Sequence, residues 1–137
     1  MKRIILLTLL CTTTILMAQR INHIQEAIAD YDYETALILI AKEKPTIPLL
    51  LQKGKAQRGL GLNTEALSTY QEIIANDTAN TRAYIEAAEC CRSLAKNQQA
   101  LKYYEQALDL NPENKYVRIQ YIGLLLSLQK FQEALGE

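Results

Sequence analysis

The chain has 137 residues, with 15 lysines and arginines against 15 aspartates and glutamates, so its formal net charge is zero. That length suits one small domain, and the balanced charge removes the bulk electrostatic argument for a nucleic-acid partner or a polybasic membrane anchor. One histidine and three cysteines are too few for a structural zinc site or a disulfide-rich scaffold, and we expect no metal and no cofactor.

The N-terminal residues have the pattern of a secretory signal. Lys2 and Arg3 are followed by an uncharged, mostly apolar run over residues 4–17, and Ala18 offers the small residue that cleavage requires. The run is short for a membrane span. We therefore predict that residues 1–18 form a cleaved signal peptide, which leaves no stable membrane span and places the protein in the periplasm, in the cell envelope or outside the cell. An uncleaved signal anchor is the alternative.

The remainder of the chain repeats. Ala66, Ala100 and Ala134 recur at one constant spacing, and each is preceded by a leucine at the same distance. A weaker copy lies upstream, where the interval from Ala36 to Ala66 is slightly shorter than the regular one. Apolar residues recur at helical spacing inside each copy, with a short break in the middle. Each unit is therefore predicted to be a helix–turn–helix pair.

These breaks divide residues 19–137 into four units: a degenerate unit 19–46, units 47–80 and 81–114, and an incomplete unit 115–137. Gly61 is a candidate left-handed C-cap, and Asn63 and Thr64 are candidate N-caps for the helix that follows. Asn111 and Pro112 end a helix. In the last unit we expect an apolar first helix over residues 115–128, followed by the start of a second helix.

The pattern resembles the tetratricopeptide repeat, whose period is about 34 residues. Unit 81–114 carries the resemblance best: the family's characteristic positions hold Tyr84, Ala87, Ala88, Cys91, Ala100, Tyr104, Ala107 and Pro112. The resemblance implies an all-α fold, an α-solenoid of antiparallel helix–turn–helix units wound into a right-handed superhelix. It also implies that the first helix of each pair lines the inner surface.

Carried onto this chain, the inner surface is the candidate partner-binding face. Its members are Lys55, Arg58, Arg82, Ile85, Glu89, Arg92, Tyr116 and Ile119. Four basic residues against one acid favour a protein or an extended peptide with acidic and apolar residues, although an ordinary solvated face remains the alternative. The carboxylate-clamp subgroup of the family requires lysines and asparagines at set places. Those places hold Ile21, Gln25, Gln52, Arg82 and Glu86, or in the next frame Leu51, Lys55, Glu86, Tyr116 and Gln120, and neither set fits.

Other candidate residues are weaker. His23 has no second ligand one turn later, so a catalytic or zinc-binding role is not expected. Cys90 and Cys91 are adjacent on one helix and are predicted to be core residues, because a bridge between them would break the helix. Asn76 and Thr78 match short acceptor patterns for N- and O-linked glycans in an inter-repeat loop.

Three functions follow as hypotheses, and none of them is enzymatic, because no acid, base and nucleophile converge. The leading one is an exported scaffold that binds a protein or peptide in its concave face. The second is a structural subunit of an envelope complex, which docks or self-associates through the uncapped C-terminal helix with Leu124 and Leu128. The third is the N-terminal sensor or accessory part of a longer signalling protein.

Overall fold

The computed structural model describes residues 18–135, and within them there are seven helices and no β-strand. The first helices of the four units are α1 (18–29), α3 (Ile47–Gly59), α5 (Thr81–Ser93) and α7 (Lys115–Leu135). The second helices are α2 (Tyr33–Ile40), α4 (Asn63–Asn76) and α6 (Asn97–Leu110). From α2 onward each helix packs against the next one in the chain, so the predicted all-α solenoid is confirmed. The predicted signal peptide lies, except for Ala18, outside the described residues.

The turn inside each pair is built on one left-handed residue. Tyr31, Gly61 and Ala95 have φ of 61°, 75° and 56°, and each lies five positions before the small alanine of its second helix. The following residue then donates its amide hydrogen to a carbonyl in the last turn of the first helix, as from Leu62 to Gln57 at 2.9 Å. Such 6→1 bonds satisfy carbonyls that a helix end leaves free. The prediction for Gly61 is confirmed.

The helix starts differ in how they are capped, and among the second helices only α2 has a side-chain cap, from Asp32, which accepts from the amide of Thr35 at 3.1 Å. Side chains of Thr46, Asn80 and Asn114 accept hydrogen bonds from amides three positions on, at 3.4, 3.1 and 3.1 Å, and so cap α3, α5 and α7. Helices α4 and α6 begin without a side-chain cap. The predicted cap at Asn63 is therefore wrong: its side-chain amide donates to the carbonyl of Gly61 at 3.4 Å. The tight turn leaves Asn63 inside the helix rather than before it.

Small residues allow the helices to approach closely. Ala36, Ala66 and Ala100, the repeat markers of the three second helices, are fully buried. Gly54 faces the ring of Tyr70, so closely that a Cβ atom at position 54 would lie 2.5 Å from its Cζ atom. Aromatic rings fill the space that small residues leave.

The last unit departs from the prediction. Helix α7 continues without a break over 21 residues, where a turn was expected near residue 129. The position of Gly61 and Ala95 is held here by Gln129, which is compatible with an uninterrupted helix. None of the helices in residues 18–135 is both long and apolar enough to cross a membrane.

Candidate functional site

The predicted partner-binding residues lie on α3, α5 and α7, and we call the surface that they form the groove face. Lys55, Arg82, Arg92, Tyr116 and Ile119 are exposed along it. Their neighbours are less accessible: Arg58, Glu89 and Ile85 are half-buried, and Ile85 packs against the core. The capped starts and tight turns of the pairs bring these three first helices side by side, which is why residues from successive repeat units become neighbours.

At the junction of α3 and α5, an ion pair connects the two helices. The guanidinium of Arg58 donates to the carboxylate of Glu86. Burial is the largest single effect and lowers the pKa of Arg58. The charge of Glu86 and the hydrogen bond to it, with smaller contributions from Cys90 and Tyr70, together raise the pKa of Arg58 above its ordinary value. Beside the pair is an open cavity of about 460 Å³. Its lining residues are Tyr33, Lys55, Arg58, Gly59, Asn63, Arg82, Glu86 and Ser93.

At the junction of α5 and α7, hydrogen bonds take the place of the ion pair. Arg92 donates to Gln120 at 2.6 Å, and these positions correspond to Arg58 and Glu86 in the preceding repeat unit. Glu89 accepts from the hydroxyls of Tyr104 at 2.7 Å and Tyr116 at 2.9 Å, and lies 3.5 Å from Arg92. Burial, and then the bond to Glu89, raise the pKa of Tyr116. The tyrosines therefore remain neutral donors at physiological pH.

The two junctions differ at one pair of positions. Glu89 and Tyr116, hydrogen-bonded at the second junction, correspond to Lys55 and Arg82 at the first. Within residues 18–135, neither Lys55 nor Arg82 has an ion-pair partner. The sequence count of four basic residues against one acid left out Glu86. Two of the four cations are therefore already paired, and the unpaired positive charge is concentrated on Lys55 and Arg82.

The two residues predicted to dock a partner at the C-terminal end, Leu124 and Leu128, pack against the core instead of lying exposed. Leu124 is only 9% exposed and belongs to the core, and Leu128 packs against the same core. They share one face of α7 with Val117 and Tyr121, because positions three, four and seven apart align on a helix. Among its residues up to Gln129, α7 exposes the aliphatic side chains of Ile119, Ile122, Leu125 and Leu126.

The remaining candidates have simple environments. Cys90 and Cys91 are fully buried, as predicted for core residues, and burial raises the pKa of Cys90 to about 11. His23 is exposed on α1. In the described part of the chain, no group of three or more histidine, cysteine or acidic side chains is arranged to hold a metal ion. Asn76 ends α4 and Thr78 follows in the loop, both exposed, and their glycosylation stays a prediction.

A second cavity was not predicted. It lies between α2 and α3, has a volume of about 330 Å³ and is mostly apolar. The signal that could have revealed it is the interval between Ala36 and Ala66, which is shorter than the interval between Ala66 and Ala100. Its lining residues are Leu37, Ile40, Ala41, Glu43, Lys44, Pro45, Leu49, Leu50, Lys53 and Gln57.

Comparison with solved structures identifies the fold. The first tetratricopeptide repeat domain of Spaghetti (RPAP3), bound to the HSP90 peptide SRMEEVD, is 21% identical with a TM-score of 0.74, covering 79% of this chain and 89% of that one. The Sgt2 domain from Aspergillus fumigatus is 12% identical with a TM-score of 0.76, covering 85% and 81%. PcrH in complex with the chaperone binding region of PopB is 18% identical with a TM-score of 0.68, covering 78% and 92%.

The comparisons by sequence match a smaller part of the chain than the comparisons by structure. No curated protein matches the chain. The family model described as tetratricopeptide repeat matches residues 93–136, which include all of α6 and α7. The described chain is thus an all-α repeat array with the fold of solved tetratricopeptide repeat domains, and its residues 93–136 match the tetratricopeptide repeat family.

Proposed function

We propose that this chain is a non-enzymatic protein-binding scaffold that holds an extended, partly acidic segment of a partner protein on its groove face. The observation that carries the proposal is the contrast between the two junctions. Lys55 and Arg82 line one open cavity with no ion-pair partner among residues 18–135, whereas Glu89 and Tyr116 at the corresponding positions bind each other.

Electrostatics favours an anionic partner at this junction. Two like charges on one cavity repel each other, and an anion between them reverses the sign of that interaction. The Arg58–Glu86 pair beside them adds no net charge. Toward α7, the exposed Tyr116 and Ile119 offer an aromatic and an aliphatic surface. A partner with an acidic residue near α3 and apolar residues near α7 fits this order.

The structural neighbours support the class of partner. The Spaghetti domain is solved with the peptide SRMEEVD, which has three acidic residues against one arginine, and PcrH is solved with a region of PopB. This fold therefore holds peptide segments in at least these proteins. Because Ile21, Gln25, Gln52 and Glu86 depart from the carboxylate-clamp pattern, we propose a different acidic partner for this chain.

The test is affinity capture from an extract of the source organism, followed by titration of the purified partner. The informative variant is Lys55→Glu/Arg82→Glu, because it reverses charge without breaking the ion pair of Arg58. The matched control is Lys42→Glu/Lys102→Glu, which makes the same charge change on exposed residues of the second helices and their flanks. Circular dichroism checks that all three proteins have equal helical content.

We expect the first variant to lose the partner and the control to retain it, with affinity that falls as salt rises. Equal capture by the groove variant and the wild type would overturn the proposal. It would then direct attention to the apolar surface of α7.

We further propose that the array works outside the cytoplasm. The support is the sequence of residues 1–18, with its basic start, uncharged run and Ala18. Fractionation of the source organism and N-terminal sequencing of the purified protein test this. A mature chain that begins at Gln19 in the envelope or the medium is expected, and a chain that begins at Met1 in the cytoplasm contradicts export.

Assembly through α7 is the second candidate function. The observation that favours it is the exposed apolar surface made by Ile119, Ile122, Leu125 and Leu126. Leu125→Asp/Leu126→Asp tests it, since both residues are exposed and their replacement leaves the core intact. Loss of a complex with this variant, together with its retention by Lys55→Glu/Arg82→Glu, would favour assembly over groove binding.

A further inference from the structure

The cavity between α2 and α3 exists because one second helix is short. Helix α2 has 8 residues, whereas α4 and α6 each have 14. At a rise of about 1.5 Å per residue, α2 ends about 9 Å early. The chain leaves the helix after Ile40 and reaches Thr46, the cap of α3, through a short loop.

In the longer helices the corresponding turn fills the space beside the next first helix. That turn carries Ile73 and Ile74 in α4, and Ala107 and Leu108 in α6. Ile73 and Ala107 are fully buried, and Ile74 and Leu108 pack against the core. One turn with adjacent aliphatic side chains is therefore the structural element that α2 lacks.

The first helix opposite the missing turn is uncovered as a result. Leu49 and Lys53 of α3 correspond to Ala83 and Ala87 of α5, one repeat unit later. Both alanines are fully buried, whereas Leu49 and Lys53 are half-buried and line the cavity. The cavity thus presents an aliphatic surface that the other junctions cover with helix.

The charged residues at the rim of the cavity also restrict which partner would fit it. Lys44 and Lys53 both line the cavity. The acid among the lining residues, Glu43, accepts from Arg20 at 3.2 Å, so its charge is directed to α1. The uncompensated charge at the rim is positive, and it complements an acidic residue beside the aliphatic ones.

We infer that this cavity is a second protein-binding site, separate from the groove face, which accepts one helical turn of a partner with two adjacent aliphatic residues flanked by an acidic residue. The partner's turn takes the place that Ile73 and Ile74 hold at the next junction. The acidic residue meets Lys44 and Lys53. The site goes beyond the proposed function, since none of the cavity's residues lines the groove cavity.

The chain itself supplies the probe. The peptide acetyl-Gln-Glu-Ile-Ile-Ala-Asn-Asp-amide has the sequence of residues 71–77, the last turn of α4 and its C-cap. Titration into protein with labelled isoleucine and leucine methyl groups reports its position by NMR. The cavity reporters are Leu37, Ile40, Leu49 and Leu50, while Ile85 reports on the groove face and Ile119 on α7.

We expect saturable shifts at the cavity reporters and none at Ile85 or Ile119. A peptide with serine in place of both isoleucines is expected to bind at least about tenfold more weakly, because it loses the aliphatic burial. Lys44→Gln/Lys53→Gln is expected to weaken the original peptide about threefold. The matched control Lys42→Gln/Lys102→Gln removes the same charge from exposed positions outside the cavity and should leave the affinity unchanged.

Several outcomes would overturn the inference. Absence of shifts at the cavity reporters up to millimolar peptide, or binding that ignores the two isoleucines, would do so directly. Cavity shifts that grow with protein concentration alone would make a second copy of the chain the occupant. Shifts produced by octanoate but not by the peptide would make the cavity a site for small amphiphiles. Because Lys55→Glu/Arg82→Glu leaves this cavity intact, its result and this one are independent.

Discussion

Arg58 and Glu86 form an ion pair that connects α3 to α5, and the same two positions one repeat unit later hold Arg92 and Gln120, hydrogen-bonded at 2.6 Å. One geometry thus recurs at successive junctions with a charged partner in one and a neutral partner in the other. Both bonds span neighbouring repeat units, and in a repeat array such interface contacts contribute much of the stability.

Replacing Glu86 by glutamine therefore gives the first junction the neutral partner found at the second, and tests how much the charge contributes to stability. Glu86→Gln is expected to lower the free energy of unfolding by about 1 kcal/mol or less, because a partly exposed pair contributes little beyond its hydrogen bond. Arg58→Met is expected to cost more, about 1–2 kcal/mol, since it leaves the half-buried carboxylate of Glu86 without its cation. Urea unfolding followed by circular dichroism measures both, and a larger loss in Glu86→Gln would contradict the assignment.

Because Ala95 and Gly61 both have a left-handed backbone conformation, exchanging alanine for glycine at one and glycine for alanine at the other should change stability in opposite directions. Ala95→Gly is expected to stabilise the protein by about 0.5–1 kcal/mol, because alanine at a φ of 56° is strained and glycine is not. Gly61→Ala, at a φ of 75°, is expected to destabilise by about 1 kcal/mol. Urea unfolding midpoints check the pair. The control is Ala75→Gly in the last turn of α4, which should destabilise because glycine is unfavourable in a helix.

Because Gly54 packs closely against Tyr70, a larger residue at position 54 is expected to lower the free energy of unfolding. Gly54→Ala forces the added methyl against the ring of Tyr70, which is buried and cannot turn aside. Overpacking costs about 1–3 kcal/mol, and the better helix propensity of alanine recovers up to about 1 kcal/mol. We expect a net loss of about 1–2 kcal/mol in thermal or urea unfolding.

Gly59→Ala is the matched control for that change. Its new methyl meets the ring of Tyr33, which is only half-buried and has room to move. We expect a smaller loss than in Gly54→Ala. The reverse order of the two losses would show that the contact with Tyr70 does not limit the packing of α3 against α4.

The buried thiol predicts a loss of stability in alkali. Burial raises the pKa of Cys90 to about 11 in the folded chain, whereas an exposed thiol ionises near pH 8.5. As the pH rises, the unfolded chain releases this proton first and binds fewer protons than the folded chain. The free energy of unfolding therefore falls between about pH 8.5 and pH 11, and this group has little effect on it well below pH 8.5.

Cys90→Ala isolates that contribution. In reducing buffer, the wild type should lose about 2 kcal/mol more than the variant between pH 7.5 and pH 10, as measured by urea unfolding at each pH. Burial also raises the pKa of Tyr70 and Tyr104, which act in the same direction in both proteins. Equal losses in the two proteins would show that the Cys90 thiol is accessible to hydroxide in the folded chain.

The sequence predicted the repeat register because the small residues needed for close packing recur at a fixed spacing. Ala66 and Ala100 mark the second helices, and Gly61 marks the turn. The equivalent Tyr31 was not recognised, since it is neither glycine nor asparagine and lies in the weakest copy. Capping at Asn63 and a turn near Gln129 were wrong, because local propensity does not determine which residue of a tight turn begins the helix.

The sequence by itself determined what depends on one helix at a time: the repeat register, the buried faces and the burial of Cys90 and Cys91. Only the tertiary structure decided which residues meet across units. Arg58 finds Glu86, Lys55 and Arg82 share a cavity, and Leu124 faces the core rather than solvent. The physical reason is that periodicity specifies direction around a single helix axis. Pairing and cavities depend on the distance between axes, and on the length at which each helix, such as α2, stops.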